Sequence, residues 1–231
     1  MINKIADSVM DALGRIEDGA IIMTSGFGTA GIPDALIQGV LDSGARELTL
    51  VANNAGNADD GIGQLLQQGR IRKIICSFPR QSDSWNFNEA YEAGKVQLEL
   101  VPQGNLAERI RAAGAGIGAF FSPTGANTLL TKHCEVRTID GKDYVLQYPI
   151  HADLALVKAE KGDRWGNLTY RMAARNFGPI MATAARHTVA SVNEIVELGE
   201  LNPETIVTPG IFVNRIVQVE YTATRPGGFK R

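Results

Sequence analysis

The sequence predicts an α/β protein, an open and largely parallel sheet covered by helices. Three observations lead there. Helical and strand patterns alternate through the first hundred residues, the rhythm of a parallel sheet whose crossovers are helices. A glycine-rich stretch, GFGTAG (26–31), sits between a strand pattern and a helix pattern. No repeat, linker or low-complexity stretch interrupts the 231 residues, so a single domain over 1–231 accounts for the chain, with a hairpin excursion at about 133–149.

Residues 2–16 carry Ile5, Val9, Leu13 and Ile16 at helical spacing and read as a helix that Asp18-Gly19 stops. AIIMT (20–24) is a short buried strand. Pro33 opens a helix that Gly44 ends. ELTLVA (47–52) is a strand, 61–69 a short helix, IRKIICSF (71–78) a strand, DSWNFNEAYEAG a helix, VQLELV (96–101) a strand and NLAERIRAA (105–113) a helix. GAGIG (114–118) reads as a helix stop and flexible connection. EVRTI and KDYVLQ flank Asp140-Gly141, a hairpin signal over 135–147. ADLALVKA (152–159) is a buried strand, KGDRWGN (161–167) a turn-rich loop, 176–187 a helix, and 187–198 and 206–221 strands. The tail TATRPGGFKR reads as polar and frayed.

Composition removes several function classes. Charge is nearly balanced, 23 Lys+Arg against 25 Asp+Glu, with no basic stripe for nucleic acid. No apolar run approaches the ~20 residues that span a bilayer, and the N-terminus is a charged amphipathic pattern rather than a signal peptide. The expectation is a cytoplasmic protein with no membrane partner. Cys76 and Cys134 lack partners at metal spacing and read as buried thiols, and no metal is expected. Glycine, at 25 residues, is well above the ~7 % average, so a binding surface is expected to be built from backbone and turns.

The stretch SGFGTAGIP (25–33) matches G-x-G-x-x-G through Gly26, Gly28 and Gly31. Its backbone can approach an anion closely, with N–H groups at a helix start. It suits a phosphate-bearing or acyl-bearing ligand, or it is a tight turn with no ligand. A dinucleotide would require a carboxylate at the end of the second strand, and Asn53-Asn54 stands there instead. Strand ends carry further polar groups: Asn53-Asn54-Ala55-Gly56, Ser77 to Gln81, and Pro102-Gln103-Gly104-Asn105. The amides of Asn53 and Gln103 are candidate donors to a developing oxyanion, because an amide donates without titrating. Asn105 reads as a helix cap. Arg80 is either a carboxylate or phosphate clamp or a solvated loop arginine. No nucleophile stands out. There is no G-x-S-x-G, Cys76 lies in an apolar strand, His133, His151 and His187 are scattered and read as structural, Glu108 lies on a charged helix face with Arg109 and Arg111, and Asp163-Arg164 belongs to an ordered turn.

DGAIIMTSGFGTAGIP (18–33), NNAG (53–56), PQGNLAERIRAAGAGIGAFFSPTG (102–125), KGDRWGNLTYR (161–171), ARNFGPIMA (174–182) and VTPGIFV (207–213) resemble the α subunits of 3-oxoacid CoA-transferases, within family I coenzyme A transferases. The likeness spans nearly the whole chain, and CSFPRQSDS (76–84) is most similar to the 3-oxoadipate branch, with the acetoacetate branch as rival. The resemblance implies a CoA thioester as substrate, no permanently bound cofactor, and CoA transfer from succinyl-CoA to a 3-oxoacid by a ping-pong reaction. It implies that the segment Ser25, Gly26, Phe27, Gly28, Thr29, Ala30, Gly31 binds CoA and that Asn53 and Gln103 stand at the reacting centre. It implies a partner β subunit that carries the nucleophilic glutamate of a Glu-Asn-Gly sequence, which this chain lacks. Two departures stand out. Ser25 replaces the usual first glycine, so an altered turn is expected, and Thr24 stands at an apolar position. Ala126 occupies a place often held by an aromatic residue, which would widen or repack the acyl pocket. Two other classes remain open, a non-catalytic sensor of an acyl-CoA or sugar phosphate, and an NAD-dependent oxidoreductase.

Overall fold

The computed structural model describes residues 2–59, 61–80 and 82–220; the tail from 222 onward, expected to fray, lies outside them. The first unit is α1 (Val9–Leu13), β1 (Ile21–Thr24), α2 (Asp34–Ser43), β2 (Leu48–Val51), α3 (Ile62–Gln67), β3 (Ile71–Cys76), α4 (Trp85–Glu92), β4 (Gln97–Leu100) and α5 (Gln103–Gly114). A small antiparallel sheet follows, β5 (Phe120–Ser122), β6 (Val136–Ile139) and β7 (Lys142–Gln147). The chain then returns through β8 (Ala152–Asp163), β9 (Leu168–Thr169), α6 (Gly178–Ala184), β10 (Ala185–Val196) and β11 (Arg215–Gln218). Seven strands form the main sheet in the order β11-β10-β8-β1-β2-β3-β4. Every neighbouring pair along this path is parallel, and β9 adds antiparallel to β8.

The near-continuous apolar strands follow from burial on both faces. Ile22, Leu50, Ile74, Leu154 and Leu156 enter one core, with Leu36, Ile37 and Val40 of α2, Leu65 of α3 and Phe87 of α4. Met23, Val51, Ile75, Ala155 and Val157 enter the other, with Leu106 and Ile110 of α5 and Met181 of α6. Each large aliphatic side chain buried this way stabilises the fold by roughly 1.5–3 kcal/mol. Pro33 precedes α2, and Gly44 closes it in the left-handed region at φ +80°, its N–H donating to Leu41 O.

Several boundaries differ from the sequence reading. The expected helix over 2–16 contracts to α1. Ser8 accepts a hydrogen bond from Asp11 N and starts the helix there. Ile5 instead bridges to Ile216, with Ala6 N donating to Ile216 O and Ile216 N to Lys4 O, so pairing with the sheet overrides helical spacing. The turn-rich reading of 161–167 yields partly to β8, which runs on to Asp163. The helix expected to His187 stops at Ala184 and passes directly into β10. Of the expected strand over 206–221, whose last residue lies outside the described ones, only Arg215–Gln218 is strand among the described residues, since the 3-10 turn Gly210–Phe212 breaks the segment and a Cβ on Gly210 would lie 2.3 Å from Trp165 O. The hairpin is present, and β5 joins it as an unanticipated third strand. Cys76 is buried as expected, but Cys134 is exposed.

Candidate active site

The sheet order places a topological switch point between β1 and β8: from β1 the chain builds outward to β4 on one side and to β11 on the other. In open parallel sheets, ligands settle at the carboxyl ends of strands beside such a point, and the glycine-rich loop leaves β1 there. Ser25 is 2 % exposed; its Oγ donates to Gly31 O at 2.8 Å and accepts from Lys158 N at 3.2 Å. Its φ is not positive, so the serine fits there without glycine's freedom. Gly26, Gly28 and Gly31 do hold positive φ, +138°, +58° and +73°. Phe27 and Ala30 exchange two backbone hydrogen bonds of 3.0 Å each, which pinches the loop into a closed tip. Phe27 and Thr29 are exposed at that tip, Gly28 and Ala30 are half-buried, and Gly26 and Gly31 are buried. Among the described residues the amides of Gly28, Thr29 and Gly31 take no hydrogen-bond partner, whereas those of Gly26, Phe27 and Ala30 are engaged within the fold. The unpartnered backbone is therefore narrower than the whole segment.

Asn53 follows β2 and Gln103 opens α5 just after β4, with β3 between them in the sheet. Their amides nevertheless meet, Gln103 Nε2 donating to Asn53 Oδ1 at 2.6 Å. Ser77, at the end of β3, donates its hydroxyl to the same oxygen at 3.0 Å. Asn53 O accepts Ser77 N and Phe78 N at 3.2 and 3.0 Å, which fixes the strand end against its neighbour. Two donors on one oxygen set the amide orientation and leave Asn53 Nδ2 outward; among the described residues it donates to no protein group. Asn53 is buried and Gln103 exposed, so the pair runs from the sheet end to the surface. Asn54 faces its own turn, accepting Gly56 N at 3.2 Å. Ser77, one of the polar residues at the strand ends, braces Asn53 because β2 and β3 lie side by side.

The remaining candidates fall elsewhere. Asn105 does not cap α5: it lies in the first turn, donating to Thr124 O and accepting from Ser122 Oγ at 2.6 Å, which ties the helix to β5. Arg80 stands beside α4, 4.0 Å from Glu92 and 6.0 Å over the Tyr91 ring. Burial pushes the Cys76 thiol up to about 12, against a hydrogen bond from the Phe78 backbone. Glu108 forms a two-pronged pair with Arg111 on the open helix face. Arg109 leaves that face, pairing with Glu99 at 2.8 Å and donating to Tyr148 O. His133 and His151 are exposed rather than structural, while His187 lies 3.2 Å from Ala12 O. Asp163 organises its turn as expected, accepting from Trp165 N, Asn167 N and Asn167 Nδ2. Ala126 is half-buried in the loop after β5. A cavity of about 650 Å³ opens at the other ends of the strands, bordered by Asp11, Asp153, His187 and Arg215, away from the glycine loop and the amides. Among the described residues no cluster of three or more His, Cys, Asp or Glu side chains suits a metal, and no helix is long and apolar enough to cross a membrane.

A glycine loop at a switch point beside paired amides offers the uncharged donors that an anionic, carbonyl-containing ligand would require. The family described as Coenzyme A transferase matches residues 6–219, and the chain belongs to that family of enzymes. It is 63 % identical over 223 residues to the α subunit of the 3-oxoadipate CoA-transferase of Pseudomonas putida, covering 96 % of each chain. It is 46 % identical over 214 residues to the α subunit of a succinyl-CoA:3-ketoacid coenzyme A transferase of Xanthomonas campestris pv. campestris, covering 93 % of this chain and 88 % of that one. In fold it is similar to an acyl-CoA transferase of Escherichia coli O157:H7 solved in a thioester complex with CoA. That likeness has a TM-score of 0.84 at 22 % identity over 99 % of this chain, which spans 49 % of that protein.

Proposed function

We propose that this chain is the α subunit of a heteromeric CoA-transferase that moves CoA from succinyl-CoA to a 3-oxoacid, 3-oxoadipate first among them. The observation that carries the reading is the amide pair: Asn53 Nδ2 and the second N–H of Gln103 are uncharged donors at the sheet end, beside the glycine loop, and among the described residues no carboxylate hydrogen-bonds to either. Glu-Asn-Gly is absent from the sequence, so the attacking carboxylate is assigned to a partner β subunit.

In the proposed sequence the partner glutamate attacks the thioester carbonyl, forming a mixed anhydride and releasing CoA thiolate. The thiolate attacks the glutamyl carbonyl, giving a glutamyl-CoA thioester and free succinate. The 3-oxoacid carboxylate attacks that thioester, again releasing thiolate, which then attacks the oxoacyl carbonyl and restores the glutamate. Each addition places negative charge on a carbonyl oxygen, and each well-aimed amide donor stabilises it by roughly 3–4 kcal/mol. The amides of Gly28 and Thr29 at the tip, with that of the buried Gly31, are the loop backbone groups available to an acidic part of CoA.

The test is reconstitution with a β subunit that carries Glu-Asn-Gly, followed by assay of CoA transfer from succinyl-CoA to 3-oxoadipate and to acetoacetate. The reading expects no transfer by the isolated chain and faster transfer to 3-oxoadipate by the pair. Preference for acetoacetate assigns the chain to the other branch. Turnover by the isolated chain, or borohydride trapping of an acyl group on one of its own side chains, overturns the reading. CoA binding without transfer in the reconstituted pair would make it a sensor.

A further inference from the structure

We infer that Asn176 is a positioning residue that holds the 26–31 loop in the shape that receives CoA, acting through the loop backbone without touching the ligand. This rests on the reading of that loop as the CoA cradle. Asn176 lies 150 residues beyond Gly26, at the end of the 3-10 turn Met172–Arg175 and just before α6. Its Oδ1 accepts Gly26 N at 2.9 Å and Phe177 N at 2.7 Å. Its Nδ2 donates to Ala30 O at 3.1 Å and to Ala173 O at 2.8 Å. A primary amide offers two donors and two acceptor lone pairs, so every one of them is engaged, one of each kind on the loop and one of each kind on its own segment.

The two loop contacts sit at opposite ends of the tip, Gly26 where it begins and Ala30 where it closes against Phe27. One side chain thus fixes the distance across the tip, and with it the placing of the Gly28 and Thr29 amides between. The fit is close: a Cβ on Gly31 would lie 2.6 Å from Ala174 O and 2.7 Å from Asn176 Nδ2. Ser25 braces the same loop from inside, through Gly31 O. Asn176 is the brace from outside, carried on the segment that leads into α6 and so into the second core.

The experiment compares the reconstituted two-chain enzyme carrying wild-type, Asn176→Ala or the isosteric Asn176→Asp chain. It measures steady-state constants for both substrates and free CoA binding by calorimetry. Two hydrogen bonds to the loop are lost in Asn176→Ala, and the expected result is about a tenfold rise in the CoA-thioester KM and in the CoA Kd. The KM of the free 3-oxoacid stays within about twofold, with assembly intact. Asn176→Asp retains the acceptor and covers the case in which the alanine variant fails to fold; it is expected to weaken CoA binding in the same direction. Unchanged CoA binding in a folded variant, or an equal loss toward both substrates, overturns the inference while leaving the cradle reading in place. Failure of the wild-type enzyme to bind CoA overturns the cradle reading and this inference with it.

Discussion

Gln103 Nε2 donates to Asn53 Oδ1 at 2.6 Å across the end of β3, joining two side chains fifty residues apart into one donor unit. The contact gives the two residues different tasks. Asn53 is held by Gln103 and Ser77 and turns its Nδ2 outward, whereas Gln103 orients its neighbour and keeps a second N–H, which the proposed function assigns to the ligand.

Gln103→Ala should therefore lower kcat by about 10²–10³-fold, the usual loss for one oxyanion donor. It should leave assembly with the partner chain intact, because the side chain is exposed at the start of α5. Asn53→Asp keeps the accepting oxygen for Gln103 and Ser77 but replaces the outward N–H group with an acceptor, and kcat should fall at least as far. Steady-state rates at saturating substrate check both. Wild-type turnover in either variant removes that amide from the mechanism.

The parallel sheet was legible because strands such as Ile22-Met23 and Leu154-Ala155 are apolar on successive residues, the mark of burial on both faces. The strand-end amides were legible as candidates for the same reason, since the ends of parallel strands collect on one edge. Their contact was not, because it depends on β2, β3 and β4 lying side by side. Asn176 was hidden further, within 174–182, a stretch that reads only as loop and helix, because its partners Gly26 and Ala30 come from the first crossover. The helix expected over 2–16 failed on similar grounds: local spacing of Ile5 and Val9 said nothing of Ile216, which captures the backbone there.

Glycines of the loop should differ sharply in tolerance. Gly31 has φ +73° and a neighbour 2.6 Å from any added Cβ, whereas Gly28 has φ +58° and open space around it. Gly28→Ala should cost about 1–2 kcal/mol, the left-handed penalty alone. Gly31→Ala adds a backbone collision and should cost roughly 2–4 kcal/mol, a fall in Tm of about 4–16 °C for a chain of this size. Thermal unfolding of the two variants side by side checks the order; equal losses would contradict the close packing against Ala174.

The two cysteines should separate by reactivity. Burial raises the Cys76 thiol to about 12, so little thiolate forms near neutrality, whereas Cys134 is exposed. The folded isolated chain should release one equivalent of thionitrobenzoate at pH 8 and two after denaturation. Rapid release of two equivalents from the folded chain would show that the β3 core opens, contrary to the burial of Cys76 within it.

Glu99 ties the sheet edge to the helix that carries Gln103, and its protonation should set part of the acid stability. Its carboxylate meets Lys73 Nζ at 2.5 Å and Arg109 Nη1 at 2.8 Å, and Arg109 also donates to Tyr148 O, reaching the segment after β7. Burial alone would raise the Glu99 pKa, but the hydrogen bonds and charges of Lys73 and Arg109 outweigh it and hold the group below its ordinary value of 4.5. A group whose pKa is lower in the folded state contributes stability that is full above the unfolded pKa and is lost as pH falls through the folded one. Glu99→Gln should thus destabilise by about 1–2 kcal/mol at pH 7, a modest figure because the carboxylate is about a third exposed to screening solvent. The difference from wild type should shrink once pH drops below about 4.5, since a protonated Glu99 then resembles the glutamine. Urea unfolding at pH 7, 5 and 3 measures it. A difference that stays constant across that range would mean that the pairs with Lys73 and Arg109 contribute through shape and packing, with no share from charge.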